Sequence, residues 1–153
     1  MSEPTPCPGL INILVPLTSA DLGGSQLFLL KLIEVMPDTF RFSVWLFQDG
    51  PMVAELQERG IPHCILPRTM TRTPWGLWRL RRKLKEAKPD VIYLHASRMI
   101  ALLARHLGIP CVERINMSRT PEVGGWCNRL PWLDRIMTEW NTKVIAVSDA
   151  IRQ

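Results

Sequence analysis

The chain has 153 residues, enough for one domain with a real buried core, and 46% hydrophobic against 22% charged residues excludes a disordered polymer. No apolar run approaches the ~18 residues that a membrane-spanning helix needs, and the opening "MSEPTPCPG" puts acid and proline where a secretory leader requires basic then apolar residues. The net charge of +5 favours anionic partners, yet no zinc-finger spacing or RNP-like aromatic pattern supports nucleic acid, and the expected location is the cytoplasm.

Residues 1–9 are expected to form a disordered tail ahead of one domain spanning 10–153. "INILVP" (11–16) is the first predicted strand, followed by a polar bend and a helix over 25–36. Gly23 and Gly24 stand between them. A tight corner explains one glycine; two beside a helix start suggest that something must come close to the backbone. Further strands are predicted at 42–47, 62–66, 90–94, 110–114 and 143–147, alternating with helices at 51–59, 75–87, 98–107 and 128–138. The strands are short, bounded by Pro, Gly or Asp, and apolar on both faces, as a parallel sheet covered by helices on both sides requires. "ERGIP" and "HLGIP" each end a helix on a left-handed glycine and open a strand through proline, and "KPD" does similar work before the fourth strand. The fold class is therefore α/β: a doubly wound, mainly parallel sheet.

After the last strand, "SDAIRQ" offers about one helical turn, which is marginal alone, so the sequence is expected to be a fragment or a domain of something longer. Cys7, Cys64, Cys111 and Cys127 form no CxxC pair, and the three histidines are scattered. Free thiols are expected, with Cys64 and Cys111 buried in strands, and no structural metal.

Taken in order, "NILVPLTSADLGGSQLFLLKL", "DGPMVAELQERGIPHCILP", "KPDVIYLHAS", "LGIPCVERINMS" and "KVIAVSDAIRQ" resemble the N-terminal half of family 4 nucleotide-sugar glycosyltransferases of the GT-B type. The resemblance covers nearly all of 10–153. It implies the first of two Rossmann-like domains facing each other across a cleft. This one shapes the acceptor site, and the C-terminal partner, which holds most of the sugar nucleotide, is absent from this sequence. It further implies transfer with retention, no metal or cofactor besides the nucleotide-sugar donor, and an isolated chain that does not turn over.

The resemblance also implies roles for individual residues. Gly23 and Gly24 match the loop that approaches the donor diphosphate and sugar, where the following helix offers unpaired N–H groups and a positive dipole end; Ser25 is a candidate cap or phosphate neighbour. His95, at the end of the fourth strand, matches the second position of a His-x-His pattern that contacts the donor sugar or positions the reacting groups; Tyr93 replaces the first. Without the resemblance, a hydrogen-bonded structural histidine is the favoured reading. Arg114 and Asn116 are candidate acceptor or donor contacts within "ERINMSR", against an alternative of a solvated loop with local ion pairs. Ser148 matches a serine after the sixth strand, with helix capping the favoured role.

"TRTPWGLWRLRRKLKEAKPD" (71–90) is the most basic stretch. Its periodicity turns Leu77, Leu80, Leu84 and Ala87 towards the sheet and leaves Trp78 among Arg81, Arg82 and Lys85. A tryptophan among outward cations suits an anionic membrane surface; a plain solvated face or a contact with the absent domain explains it as well. Two other function classes remain open. One is a non-catalytic binding or scaffolding domain that recruits a separate donor domain. The other is a dinucleotide-binding domain with Asp49 on the ribose, disfavoured because "GGSQLF" is not GxGxxG and Asp49-Gly50-Pro51 reads as a turn.

Overall fold

The apolar stretches become strands because their side chains need cover on both faces, which a sheet sandwiched by helices supplies. The computed structural model describes residues 9–36, 39–95, 97–115 and 143–146. Strands β1 (Ile11–Leu17), β2 (Phe40–Leu46), β3 (His63–Ile65), β4 (Val91–Leu94), β5 (Cys111–Ile115) and β6 (Lys143–Ala146) form a sheet ordered β3-β2-β1-β4-β5-β6. Every ladder in it is parallel. Helices α1 (Gly24–Val35), α2 (Pro51–Glu58), α3 (Pro74–Ala87) and α4 (Arg98–Leu107) connect the strands. This is a Rossmann-like, doubly wound α/β fold.

Strand alternation divides the core in two. Leu14, Ile92 and Leu94 point to one face and pack with Leu80 and Leu84 of α3 and Ile100 and Ala104 of α4. Val15, Leu17, Val44 and Tyr93 point to the other and meet Leu29 and Leu30 of α1 and Met52 and Leu56 of α2. Each such fully buried aliphatic side chain stabilises the fold by roughly 1.5–3 kcal/mol.

The boundaries follow local chemistry. β2 starts two residues before the expected position because Phe40 and Arg41 already pair with Ile11 and Asn12. β4 starts one residue late; before it Asp90 is bound to Asn12, its N–H donating to the Asn12 carbonyl at 2.9 Å and its carboxylate accepting the Asn12 backbone and side-chain N–H groups at 2.8 and 3.1 Å. Gly60 and Gly108 adopt φ of 64° and 71°, the left-handed stops expected of "ERGIP" and "HLGIP". Lys88 makes the same left-handed stop after α3 at φ 44°. A short 3-10 helix, Arg68–Thr71, was not anticipated. Cys111 is buried and free; Cys64 is free but only half-buried, since it lies on the edge strand β3. The expected helix at 128–138, the tail before Gly9, Cys7 and Cys127 lie outside the described residues. Among the described residues no helix is long and apolar enough to cross a membrane.

Candidate functional site

In this strand order the chain adds β2 and β3 on one side of β1, then crosses to β4 on the other. The carboxyl ends of β1 and β4 therefore open a crevice at the point where the winding reverses, the usual ligand position in such sheets. The loop leaving β1 is held from both sides. Ser19 Oγ donates to Asp21 Oδ2 at 2.6 Å and accepts from the Asp21 N–H at 3.2 Å. Ala20 is fully buried, and its carbonyl accepts the Met52 N–H at 3.0 Å. Gly50 makes this approach possible, since a Cβ there would lie 3.0 Å from both Ala20 Cβ and its carbonyl oxygen. Asp49 Oδ1 accepts the Gly50 N–H at 2.8 Å, as the turn read from Asp49-Gly50-Pro51 requires.

Gly23 is the N-cap of α1 in extended conformation, φ −100°, so neither backbone strain nor a tight corner demands glycine. A Cβ on Gly24 would meet nothing within 4 Å, and one on Gly23 only the mobile end of Gln26 at 3.1 Å. The missing side chains thus leave open space over the helix start. α1 has no side-chain cap and no acidic residue in its first turn, so its first amides carry their positive dipole end unneutralised. Ser25 does not cap: the helix begins at Gly24, ahead of it, and its hydroxyl donates to Gln26 Oε1 at 2.8 Å.

His95 follows the last residue of β4. Leu94 is paired with Glu113 on β5, so one step further along the ladder His95 comes level with Arg114. The Tyr93 ring meets the His95 imidazole edge-on, with centroids 5.1 Å apart. Arg114 lies over the Phe28 ring of α1, its Cζ 3.6 Å from the centroid, and its charge reaches the Tyr93 hydroxyl. Burial raises the Tyr93 phenol above its usual range, partly offset by the neighbouring Arg114 guanidinium. Burial, and then the Arg114 cation, lower the His95 pKa to about 4, so its imidazole is neutral at pH 7. His95 Nε2 and Arg114 Nη1 are buried without a hydrogen-bond partner. Glu113, grouped with Arg114 in the sequence, is instead buried within β5.

The fold brings the strand-end His95 and Arg114, both singled out in the sequence, next to each other. Phe28 was missed. Its signal was an aromatic one turn after Gly24 and outside the buried Leu29–Leu30 stripe. Asn116 and Ser148 lie outside the described residues.

The profile of glycosyltransferase family 4 matches residues 22–153. The chain belongs to glycosyltransferase family 4. No curated protein matches it. Among solved structures it is similar to Anabaena HepE in complex with UDP and glucose, at 22% identity and a TM-score of 0.74, covering 93% of this chain and 39% of that one. A glycosyltransferase from Rickettsia africae is similar at 16% identity and a TM-score of 0.67, over 95% and 38% of the two chains. MurG of Acinetobacter baumannii aligns at 15% identity and 0.59, over 89% and 41%. At these identities the likeness establishes the GT-B half-fold. The family 4 chain spans about two-fifths of the length of each of these proteins.

The basic helix of this family 4 chain departs from its wheel. Leu80 and Leu84 are buried, but Leu77 is half-buried and Ala87 is exposed. Trp78 stacks on Trp75 with centroids 4.9 Å apart, and Arg79 lies 5.6 Å over the Trp75 ring. Trp75 is 62% and Trp78 49% exposed. Of the three predicted cations, Lys85 is exposed and Arg82 pairs with Glu86 at 2.8 Å. Arg81 turns inward, half-buried, with its Nη2 3.5 Å from His106 of α4. Among the described residues no group of three His, Cys, Asp or Glu side chains could hold a metal ion.

Proposed function

We propose that the chain is the acceptor-side domain of a retaining, metal-independent glycosyltransferase, completed by a separate donor-binding domain across the cleft. One observation carries the reading. A neutral histidine with an unpartnered ring nitrogen stands beside a cation at the switch crevice. HepE was crystallised with UDP-glucose, a ligand whose diphosphate and sugar need those two kinds of partner. As the glycosidic bond to the leaving diphosphate breaks, negative charge grows on the phosphate oxygens. Fixed amides at the start of α1, together with Arg114, stabilise that charge and lower the barrier. Neutral His95 exchanges hydrogen bonds with a sugar hydroxyl, and Asn116 and Ser148 add contacts to donor or acceptor. Most of the nucleotide contacts belong to the second domain, so the isolated chain does not turn over.

The test is a substitution at the open glycine. Gly24→Val is expected to fold normally, since nothing stands within 4 Å of the new Cβ. It should weaken UDP-glucose or GDP-mannose binding by about ten-fold or more, read by NMR shift titration. Unchanged affinity for every nucleotide sugar that binds the unaltered chain would remove the loop from the site. A second reading, peripheral docking on an anionic membrane, is favoured by the exposed Trp75–Trp78 stack, and it is compatible with the first.

A further inference from the structure

The Arg114 guanidinium lies beside two groups that do not neutralise it, Phe28 and Tyr93. Its Cζ rests 3.6 Å over the Phe28 ring, its charge acts on the Tyr93 hydroxyl, and Nη1 is buried with no partner. Among the described residues no carboxylate forms an ion pair with it. Phe28 is 43% exposed, whereas Leu29 and Leu30 beside it are at 0% and 2%. The ring lies outside both core clusters and carries the cation on its face. A guanidinium pressed on an aromatic face keeps a fixed plane, and its remaining N–H groups keep a fixed direction. A buried N–H left unpaired is costly, and an oxygen acceptor that arrives there recovers that cost.

We propose that Phe28, Tyr93 and Arg114 form a phosphate clamp, with Phe28 as a positioning residue that aims the guanidinium at phosphate oxygens of the substrate. Phosphate fits on chemical grounds. Its oxygens accept two parallel N–H bonds from one guanidinium. Phe28 also lies one turn after Gly24, about 6 Å along the helix from the uncapped amides of α1. Two anion-attracting features thus stand about one helical turn apart along α1. The proposal deepens the glycosyltransferase reading and rests on it for the source of the phosphate: the donor's diphosphate or a phosphorylated acceptor.

The experiment titrates the full chain with pyrophosphate, methyl phosphate and neutral methyl glucoside while following arginine side-chain N–H resonances by NMR. The variants are Phe28→Leu, Phe28→Tyr and Arg114→Lys. In the unaltered chain, Arg114 signals should be displaced upfield by the ring and should move on phosphate addition but not with the glucoside. Phe28→Leu should abolish the upfield displacement and weaken phosphate binding by about five-fold or more, while Phe28→Tyr keeps both. Arg114→Lys should lose binding by at least as much. Stronger binding of pyrophosphate indicates the donor diphosphate; methyl phosphate equal to or above it indicates an acceptor monoester. Thermal midpoints exclude unfolding as the cause, and the tyrosine variant keeps the test decisive if leucine destabilises. Phosphate affinity unchanged in Phe28→Leu, or no movement of Arg114 signals in the unaltered chain, overturns the clamp. UDP-glucose run in parallel separates the two claims: phosphates that bind while UDP-glucose does not would sustain the clamp and count against the nucleotide-sugar reading.

Discussion

In the proposed site, His95 and Arg114 divide the labour of binding through their charge states. The imidazole is neutral at pH 7 because burial and the adjacent guanidinium both penalise its protonated form, so it can serve a hydroxyl but not balance a phosphate. Under the proposed function that task falls to the Arg114 cation. The same shift ties the fold to pH. With the folded pKa near 4, below the ordinary 6.5, the unfolded chain takes up this proton first as the medium is acidified. The His95 contribution is thus fully present above about pH 6.5 and is lost as the pH falls towards about 4. Urea unfolding across that range should show stability declining more steeply in the unaltered chain than in His95→Gln. Carboxylates that titrate nearby cancel in the comparison. Parallel profiles would mean that the imidazole is not held neutral.

Among the elements, α3 contains the position where sequence and packing diverge most. A glycine inside "PWGLWRL" looks like a weak point of the helix. In the folded chain Gly76 is buried where α3 presses on the Arg68–Thr71 turn. A Cβ there would sit 2.6 Å from Met70 Cα, 2.6 Å from the Thr69 carbonyl oxygen and 2.8 Å from Thr73 Oγ1. Two of those atoms are backbone and cannot yield cheaply. Gly76→Ala should therefore destabilise by about 2–3 kcal/mol despite alanine's better helix propensity, measured as a lowered midpoint in urea. A stabilised variant would refute that packing. The contrast marks what the sequence could reveal. Strand and helix order, the left-handed stops at Gly60 and Gly108, and the placement of His95 at a strand end follow from periodicity and turn chemistry, which are local. The Gly76 contact, the Arg114–Phe28 stack and the Trp75–Trp78 stack depend on which faces finally meet. Residue patterns encode the need for burial but not the neighbour.

At the scale of the whole molecule, the crevice and the exposed tryptophans occupy related positions. In a parallel sheet the connecting helices start at the carboxyl edge and run back, so the first turns of α1 and α3 both lie at the edge where His95 stands. α1 covers one face of the sheet and α3 the other, as the two core clusters require. A surface bound through Trp75 and Trp78 would therefore lie along the same edge as the crevice, a useful geometry if the acceptor is membrane-borne. The chain's net charge of +5 would add attraction to anionic headgroups, at about 1 kcal/mol for each basic residue near the surface. The stacked rings add interfacial burial that salt does not screen. These two contributions can be separated by cosedimentation with zwitterionic and anionic vesicles at low and high salt. Binding should require anionic lipid and weaken as salt rises. Trp75→Ala with Trp78→Ala should reduce it by about ten-fold at either salt concentration without changing the thermal midpoint, because both rings are largely exposed. Binding that ignores lipid charge, or survives loss of both rings, would leave α3 as a solvated helix face or a contact for another domain.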